Sequence, residues 1–127
     1  MPGSLTLGMN RVGVRGRMAE QLSLVTIGSK RRPRVRVAGE LDSFNAPQLA
    51  RYLDVLDAPS IRIDLTDCTF ADASGLRALY VAYQRAIRRG AKFVIQGASG
   101  AVLRAMRLSG FEELLKSGPS SDGEESD

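Results

Sequence analysis

The clearest strand and the clearest helix of the chain lie side by side in residues 61–87, IRIDLTDCTFADASGLRALYVAYQRAI. The first five of these residues alternate apolar and polar side chains, which is the period of a half-buried β-strand. The later part repeats apolar residues at helical spacing and predicts a helix whose apolar face is formed by Leu76, Leu79, Tyr80, Tyr83 and Ile87. Gly90 is the expected left-handed stop. The stretch therefore predicts a strand that leads through a short link into a helix.

Shorter elements with the same two periods flank this stretch. Residues 22–27 and 34–37 alternate on either side of a link of hairpin length, which predicts an antiparallel pair of strands. A helix that Asn45 is expected to cap follows this pair. Residues 93–95 predict a short buried strand, and Ser99 is the expected cap of a third helix. The order is strand, strand, helix, strand, helix, strand, helix.

This order of elements predicts a small α/β domain. Alternating strands and helices joined by short links imply parallel strands with right-handed crossovers. Two strands alternate rather than running solidly apolar, so one face of the sheet is expected to be covered by helices and the other to be partly open. We therefore predict a mixed sheet of four to five strands with helices packed mainly on one face.

Both ends of the chain differ in composition from this core. The chain has 127 residues, 43% of them hydrophobic, which suits one domain with one core. The first part lacks any period, and the last part is rich in serine and acidic residues. We predict a disordered extension at residues 1–18, one domain at residues 19–116 and a disordered acidic tail at residues 117–127.

The composition argues against several classes of chemistry. The chain contains no histidine, which removes Ser-His-Asp and Cys-His catalysis and histidine-ligated metal sites. Cys68 is the one cysteine, so it has no second thiol for a disulfide, a redox pair or a zinc site. No phosphate-binding glycine loop and no run of about 18 apolar residues is present. We expect no enzymatic activity, no cofactor, no metal and no membrane span, and a cytoplasmic location.

The net charge of +4 is unevenly distributed. Between Asp72 and Glu112 the chain has no acidic residue and seven basic ones: Arg77, Arg85, Arg88, Arg89, Lys92, Arg104 and Arg107. A basic face suits an acidic protein, nucleic acid or anionic lipid, or simply a solvated helix surface. Because Tyr80 and Tyr83, which lie among these basic residues, are predicted on the buried face of their helix, binding of nucleic acid or lipid is the less favoured hypothesis.

The link before the second helix is the first candidate for a site. Ser74 stands just before the apolar face begins and is expected to cap the helix. Asp72 can fix the link by accepting hydrogen bonds from nearby N–H groups. Gly75 is expected to leave the backbone bare, so that another protein can approach closely. The alternative is an ordinary capping turn.

The segment Gly39-Glu40-Leu41-Asp42, at the end of the second strand, is the other candidate. The exit loops of parallel strands lie at the same edge of a sheet, where ligands and partners usually bind. We therefore expect Glu40 and Asp42 to lie near Asp72 and Ser74, so that two unremarkable loops form one site.

These segments together resemble the STAS domain, the fold of bacterial anti-sigma-factor antagonists. The resemblance covers about residues 22–115 and rests on these segments: residues 35–42, VRVAGELD; residues 72–76, DASGL; residues 99–104, SGAVLR; and residues 108–111, LSGF. The combination is specific, although the Asp-x-Ser-Gly-Leu motif alone is common. Unlike most members of the family, this chain runs into an acidic tail after Phe111 rather than into a further strand and helix.

The resemblance implies a non-enzymatic protein that is switched by phosphorylation. It implies that the anti-sigma factor, itself a serine kinase, phosphorylates Ser74, and that Asp42 and Asp72 contribute to partner contact or phosphoacceptor geometry. The unmodified antagonist would bind the anti-sigma factor and free the sigma factor for transcription, as in a stress response, until phosphorylation breaks the complex. We expect the partner surface to comprise Glu40, Asp42, Asp72, Ser74, Gly75 and Arg77.

Two other uses of the same fold stay open at this point. The chain could be a STAS subunit of a signalling or lipid-transport complex that contacts its partner through the Asp-Ser loop without being phosphorylated. It could also be a nucleotide-binding module. The sequence leaves open which anti-sigma factor is bound, whether a phosphatase resets Ser74, and the oligomeric state.

Overall fold

A computed structural model describes residues 22–116 as five strands and four helices. The predicted extension at residues 1–18 and the predicted acidic tail at residues 117–127 lie outside the described residues. The elements are β1 Ser23–Gly28, β2 Pro33–Leu41, α1 Ala46–Asp54, β3 Ser60–Asp64, β4 Cys68–Ala71, α2 Ala73–Arg88, β5 Lys92–Gln96, α3 Gly100–Leu108 and α4 Glu113–Lys116.

The sheet is mixed, as the sequence predicts. Its strands follow the order β1-β2-β3-β5, and β4 pairs with β2 beside this row. β1 and β2 are antiparallel, whereas the pairs β2–β3, β3–β5 and β2–β4 are parallel. The predicted hairpin and the predicted parallel strands are therefore confirmed.

β2 pairs with β3 and β4 as well as with β1, and it extends well beyond the predicted residues 34–37. Its first half pairs with β3 and its second half pairs with β4, with a shift of register between Gly39 and Glu40. Gly39 has a φ of 100°, a conformation that glycine adopts without strain. β4 is a strand that the sequence interpretation misses, because the sequence places residues 70–74 in the link before α2.

The hydrophobic core lies between one face of the sheet and the helices. The strands contribute alternate residues to it, among them Val35, Val37, Ile61, Ile63, Phe93 and Ile95. α1 and α2 pack against each other and bury Leu49, Leu53, Leu76 and Leu79, and α3 buries Val102 and Met106. The opposite face of the sheet carries no helix within residues 22–116. Ile87, predicted on the buried face of α2, is instead 48% exposed.

The helices begin and end near the predicted residues, but the predicted capping hydrogen bonds are not all formed. Gly90 has a φ of 82° after α2, which confirms the predicted left-handed stop, and Gly110 has a φ of 79° after α3. Asn45 and Ser99 stand directly before α1 and α3, but neither side chain forms a capping hydrogen bond. No helix within residues 22–116 is long and apolar enough to cross a membrane.

The last helix, α4, is a single turn that packs against the core. Leu114 is fully buried, and α4 packs on β5. The hydroxyls of Tyr80 and Tyr83 donate hydrogen bonds of 3.1 and 3.3 Å to the two carboxylate oxygens of Glu113. The hydrogen bond to Glu113 raises the pKa of Tyr80, and burial together with the charge of Glu113 raises the pKa of Tyr83. The chain therefore leaves the described region beside β5, on the helical side of the sheet.

Candidate functional site

The two acidic segments meet at one edge of the sheet, as the topology predicts. β2 and β4 run parallel, and their last pair in register is Leu41 with Ala71. Asp42 and Asp72 each follow directly on this pair. The backbone N–H of Asp72 donates a 3.1 Å hydrogen bond to the carbonyl oxygen of Leu41. The two exit loops therefore begin side by side.

Asp72 joins these loops to each other and to α2. Its Oδ1 accepts a 2.9 Å hydrogen bond from the N–H of Gly75, and its Oδ2 accepts one of 3.2 Å from the N–H of Ser43. The expectation that Asp72 fixes the loop is confirmed. The expectation that Ser74 caps the helix is wrong, because Asp72 has the extended backbone of a capping residue and α2 begins at Ala73.

Ser74 is the second residue of α2, and it is exposed. Its hydroxyl forms no hydrogen bond with other residues in the described range 22–116. The first turn of a helix presents free N–H groups and a partial positive charge, which favour a nearby anion. Arg77, also exposed, lies three residues further along α2, at a spacing that places the two side chains on the same face.

Gly75 does not have the role that the sequence suggested. It is buried, and a Cβ atom at this position would lie 2.5 Å from Cγ of Leu41 and 2.7 Å from the Leu41 carbonyl oxygen. The expectation that Gly75 leaves bare backbone for another protein is therefore wrong. The absence of a side chain instead lets the start of α2 approach the end of β2 in the same chain.

The loop after β2 is held together by its own polar groups. Oδ1 of Asp42 accepts hydrogen bonds of 3.0 and 3.1 Å from the N–H groups of Phe44 and Asn45. The buried side chain of Asn45 accepts one from the N–H of Asp42 and donates one to the Glu40 carbonyl oxygen. Asp42 and Glu40 are half-buried, and Glu40 pairs with Phe70 across β2 and β4. The structure thus places Glu40, Asp42, Asp72 and Ser74 around one edge.

Two aromatic side chains at this edge are exposed and were not among the predicted site residues. Phe44 is 83% exposed in the loop after β2, and Phe70 is 42% exposed in β4. Large apolar side chains that remain accessible beside polar groups are typical of protein–protein interfaces. The available signal was that Phe44 stands between Ser43 and Asn45, outside any apolar period.

Cys68 is the first residue of β4, the strand that leads to this edge. It is buried in β4, and its thiol donates a hydrogen bond to the carbonyl oxygen of Phe70 at 3.4 Å. Burial raises the pKa of the Cys68 thiol, and the charge of Glu40 raises it further. The protonated thiol is a poor nucleophile at neutral pH.

Comparison with known families decides what kind of domain this is. The family model described as "Mlab, STAS domain" matches residues 26–116. The chain belongs to the STAS-domain family. This STAS domain is 29% identical over 83 residues to the anti-sigma-B factor antagonist of Listeria monocytogenes, an alignment that covers 63% of this chain and 73% of that protein.

Solved structures share the fold of this STAS domain. An anti-sigma factor antagonist from Mycobacterium paratuberculosis matches with a TM-score of 0.65 and 23% identity, over 74% of this chain and 82% of that one. SpoIIAA of Bacillus in its phosphorylated form matches with a TM-score of 0.59 and 16% identity, over 82% of this chain and 92% of that one. At these identities the likeness shows the fold alone.

The joining role of Asp72 in this STAS domain can be tested by its removal. Asp72→Ala is expected to lower the free energy of unfolding by about 1–2 kcal/mol, because the N–H groups of Ser43 and Gly75 lose their acceptors. Asp57→Ala is the matched control. Within residues 22–116 the exposed Asp57 forms only a surface ion pair with Arg89 at 3.4 Å, so its removal should change stability by less than about 0.5 kcal/mol. Urea unfolding of both variants measures the difference, and equal losses would contradict the assignment.

Proposed function

We propose that this protein is a cytoplasmic anti-sigma-factor antagonist that binds an anti-sigma serine kinase and is released when that kinase phosphorylates Ser74. The observation that supports this most directly is the exposed hydroxyl of Ser74 in the first turn of α2, which has no hydrogen-bond partner among residues 22–116. It stands beside the acidic loop that the Ser43–Asp72 hydrogen bond holds in place. Relatives named anti-sigma-B factor antagonists support the coarser part of this assignment, an anti-sigma-factor antagonist.

The chemistry of the edge suggests how a partner would bind there. Phe44 and Phe70 are accessible apolar groups, and the half-buried Asp42, whose carboxylate accepts a hydrogen bond from the N–H of Phe44, contributes negative charge at the same edge. We expect the anti-sigma factor to receive the aromatic side chains in apolar pockets and to offer basic or hydrogen-bonding groups to the acidic loop. Glu40, through its carbonyl oxygen, and Asp72, through its carboxylate, support the loop by accepting hydrogen bonds from it. Gly75 contributes through its close packing on Leu41.

A phosphate on Ser74 would change binding without unfolding the domain. It adds about −1.5 to −2 charges at neutral pH. In the first turn of a helix this charge is favourable by about 0.3–1 kcal/mol, and Arg77 on the same face offers a cation for partial pairing. The same charge is unfavourable for a partner whose bound surface already faces Asp42. The switch would therefore act on the interface.

The proposal is tested by incubating the full chain with its cognate anti-sigma factor and ATP. Mass spectrometry is expected to find the phosphate on Ser74, and size-exclusion chromatography is expected to show that the complex separates. Ser43→Ala is the matched control, because it removes an exposed serine from the adjoining loop and should still be phosphorylated at Ser74. Phosphate transfer to Ser43 instead, or stable binding without any transfer, would contradict the switch. The second result would support a scaffold subunit that is not phosphorylated.

A further inference from the structure

The open face of the sheet is a second surface, which the proposed function does not use. Its side chains form two rows across the strands, as given by the pairing register. One row is Ile27, Arg34, Arg62 and Val94, and the next is Val25, Arg36, Asp64 and Gln96. We call these eight residues the arginine face. No helix of residues 22–116 covers it.

The arginine face carries more positive charge than negative charge. Arg34 and Arg62 are directly paired neighbours on β2 and β3, and like charges at such positions destabilise a sheet. Neither forms an ion pair within the described range 22–116. Both side chains are half-buried, flanked by the apolar Ile27 and Val94. Charges in such surroundings interact more strongly than fully solvated ones.

Asp64, the one acid on this face, is engaged elsewhere. Its Oδ1 accepts hydrogen bonds from the N–H of Thr66 at 2.9 Å and from the Thr66 hydroxyl at 2.5 Å. Burial alone would raise the pKa of Asp64, but these hydrogen bonds and the charges of Arg36 and Arg34 outweigh burial and lower it. The single negative charge of Asp64 offsets only part of the positive charge of the three arginines. An additional anion would therefore stabilise this face.

We propose that residues 117–127 of the same chain dock on the arginine face through their acidic side chains. This segment contains Asp122, Glu124, Glu125 and Asp127 and no basic residue. Acids that reach Arg34 and Arg62 would relieve the repulsion between the two guanidinium groups. Arginine binds carboxylates with paired hydrogen bonds, which makes it the suitable cation for this contact. The inference does not depend on the proposed function of Ser74.

The segment is long enough and begins in the right place. It follows α4, which packs on β5, and among the strands of residues 22–116 β5 pairs only with β3, so that it forms one edge of the described sheet. From that edge, β2 is two strand spacings away, or about 10 Å. Eleven residues span at most about 36 Å, which allows the chain to pass around β5 to the open face. Because the two parts belong to one chain, their effective concentration is in the millimolar range for a short flexible link.

A nitroxide spin label on the segment tests this contact in the full chain. Ser126→Cys provides the attachment site, since the buried Cys68 is shielded from the reagent. NMR spectra are expected to show loss of the amide cross-peaks of Arg34, Arg36 and Arg62 at low salt. The signals should return near 1 M salt, where the Debye length falls to about 3 Å.

Two charge-matched double variants distinguish docking on this face from general attraction. Arg34→Thr with Arg62→Thr is expected to restore the lost cross-peaks, and threonine suits a strand. Arg88→Ser with Arg104→Ser removes the same charge from exposed helix positions and should leave the loss unchanged. Unchanged chemical shifts elsewhere report that each variant is folded. Neutralising the four acids of the segment gives the same test without altering the sheet.

Three results would overturn the proposal. The first is a loss of signal confined to α4 and β5, next to the start of the segment. The second is a loss that persists when Arg34 and Arg62 are replaced. The third is a loss that appears equally when spin-labelled chains are mixed with separate isotope-labelled chains, because the contact would then be between two copies.

Discussion

Ser74→Asp is expected to weaken binding to the anti-sigma factor about a hundredfold, whereas Ser74→Ala is expected to bind as the unmodified protein does. The added carboxylate stands in the first turn of α2, beside the loops that start at Asp42 and Asp72. Two unit charges at about 6 Å and an effective dielectric near 20 repel each other by about 2–3 kcal/mol. A partner that closes over this edge must also desolvate or pair the new charge.

Calorimetric titration of the anti-sigma factor with each variant measures this effect. Gln84→Glu is the matched control, because it adds one negative charge to an exposed position of α2, far along the helix from Ser74. It should bind normally. Ser74→Ala should in addition stay bound after incubation with ATP, since the kinase has no acceptor hydroxyl there. Equal affinities for the alanine and aspartate variants would show that charge at Ser74 does not control the interface.

The parts of the site that follow from strand order could be predicted from the sequence. Alternation identified β1, β2 and β3, a short apolar run identified β5, helical spacing identified α1 to α3, and short links required parallel neighbours. Parallel neighbours place their exit loops at one edge, which is why Asp42 and Asp72 could be assigned to one site before any coordinates. Alternation also predicted a partly open face.

The details that failed depend on contacts between distant parts of the chain. β4 has four residues and, within residues 22–116, pairs only with the end of β2, beyond the shift of register at Gly39, so no local period reveals it. Asp72 and Ser74 are both good capping residues, and the hydrogen bond from Ser43 shows which of them is tied to the neighbouring loop. The alignment of Arg34 with Arg62 likewise requires the register of β2 and β3.

Gly75 gives the sharpest contrast between local preference and tertiary packing. In an ordinary helix, replacing glycine with alanine stabilises by about 0.5–1 kcal/mol. Here the new methyl group would lie 2.5 Å from Cγ of Leu41, 2.7 Å from its carbonyl oxygen and 3.0 Å from its carbonyl carbon. The side chain of Leu41 can rotate, but the backbone of β2 is held in the sheet by β4. Gly75→Ala is therefore expected to destabilise the domain by up to about 3 kcal/mol.

The same substitution should also weaken partner binding, because α2 can make room only by moving away from β2. That movement would stretch the hydrogen bond from Asp72 to the Leu41 carbonyl oxygen and the one from Ser43 to Asp72. Urea unfolding measures the loss of stability. Ser74→Ala, at the preceding and exposed position, is the control and should leave stability nearly unchanged. Adding Leu41→Ala would remove the contact with Cγ but not those with the backbone, so it should not rescue Gly75→Ala. A Gly75→Ala protein as stable as the unmodified one would mean that α2 and β2 are not in close contact.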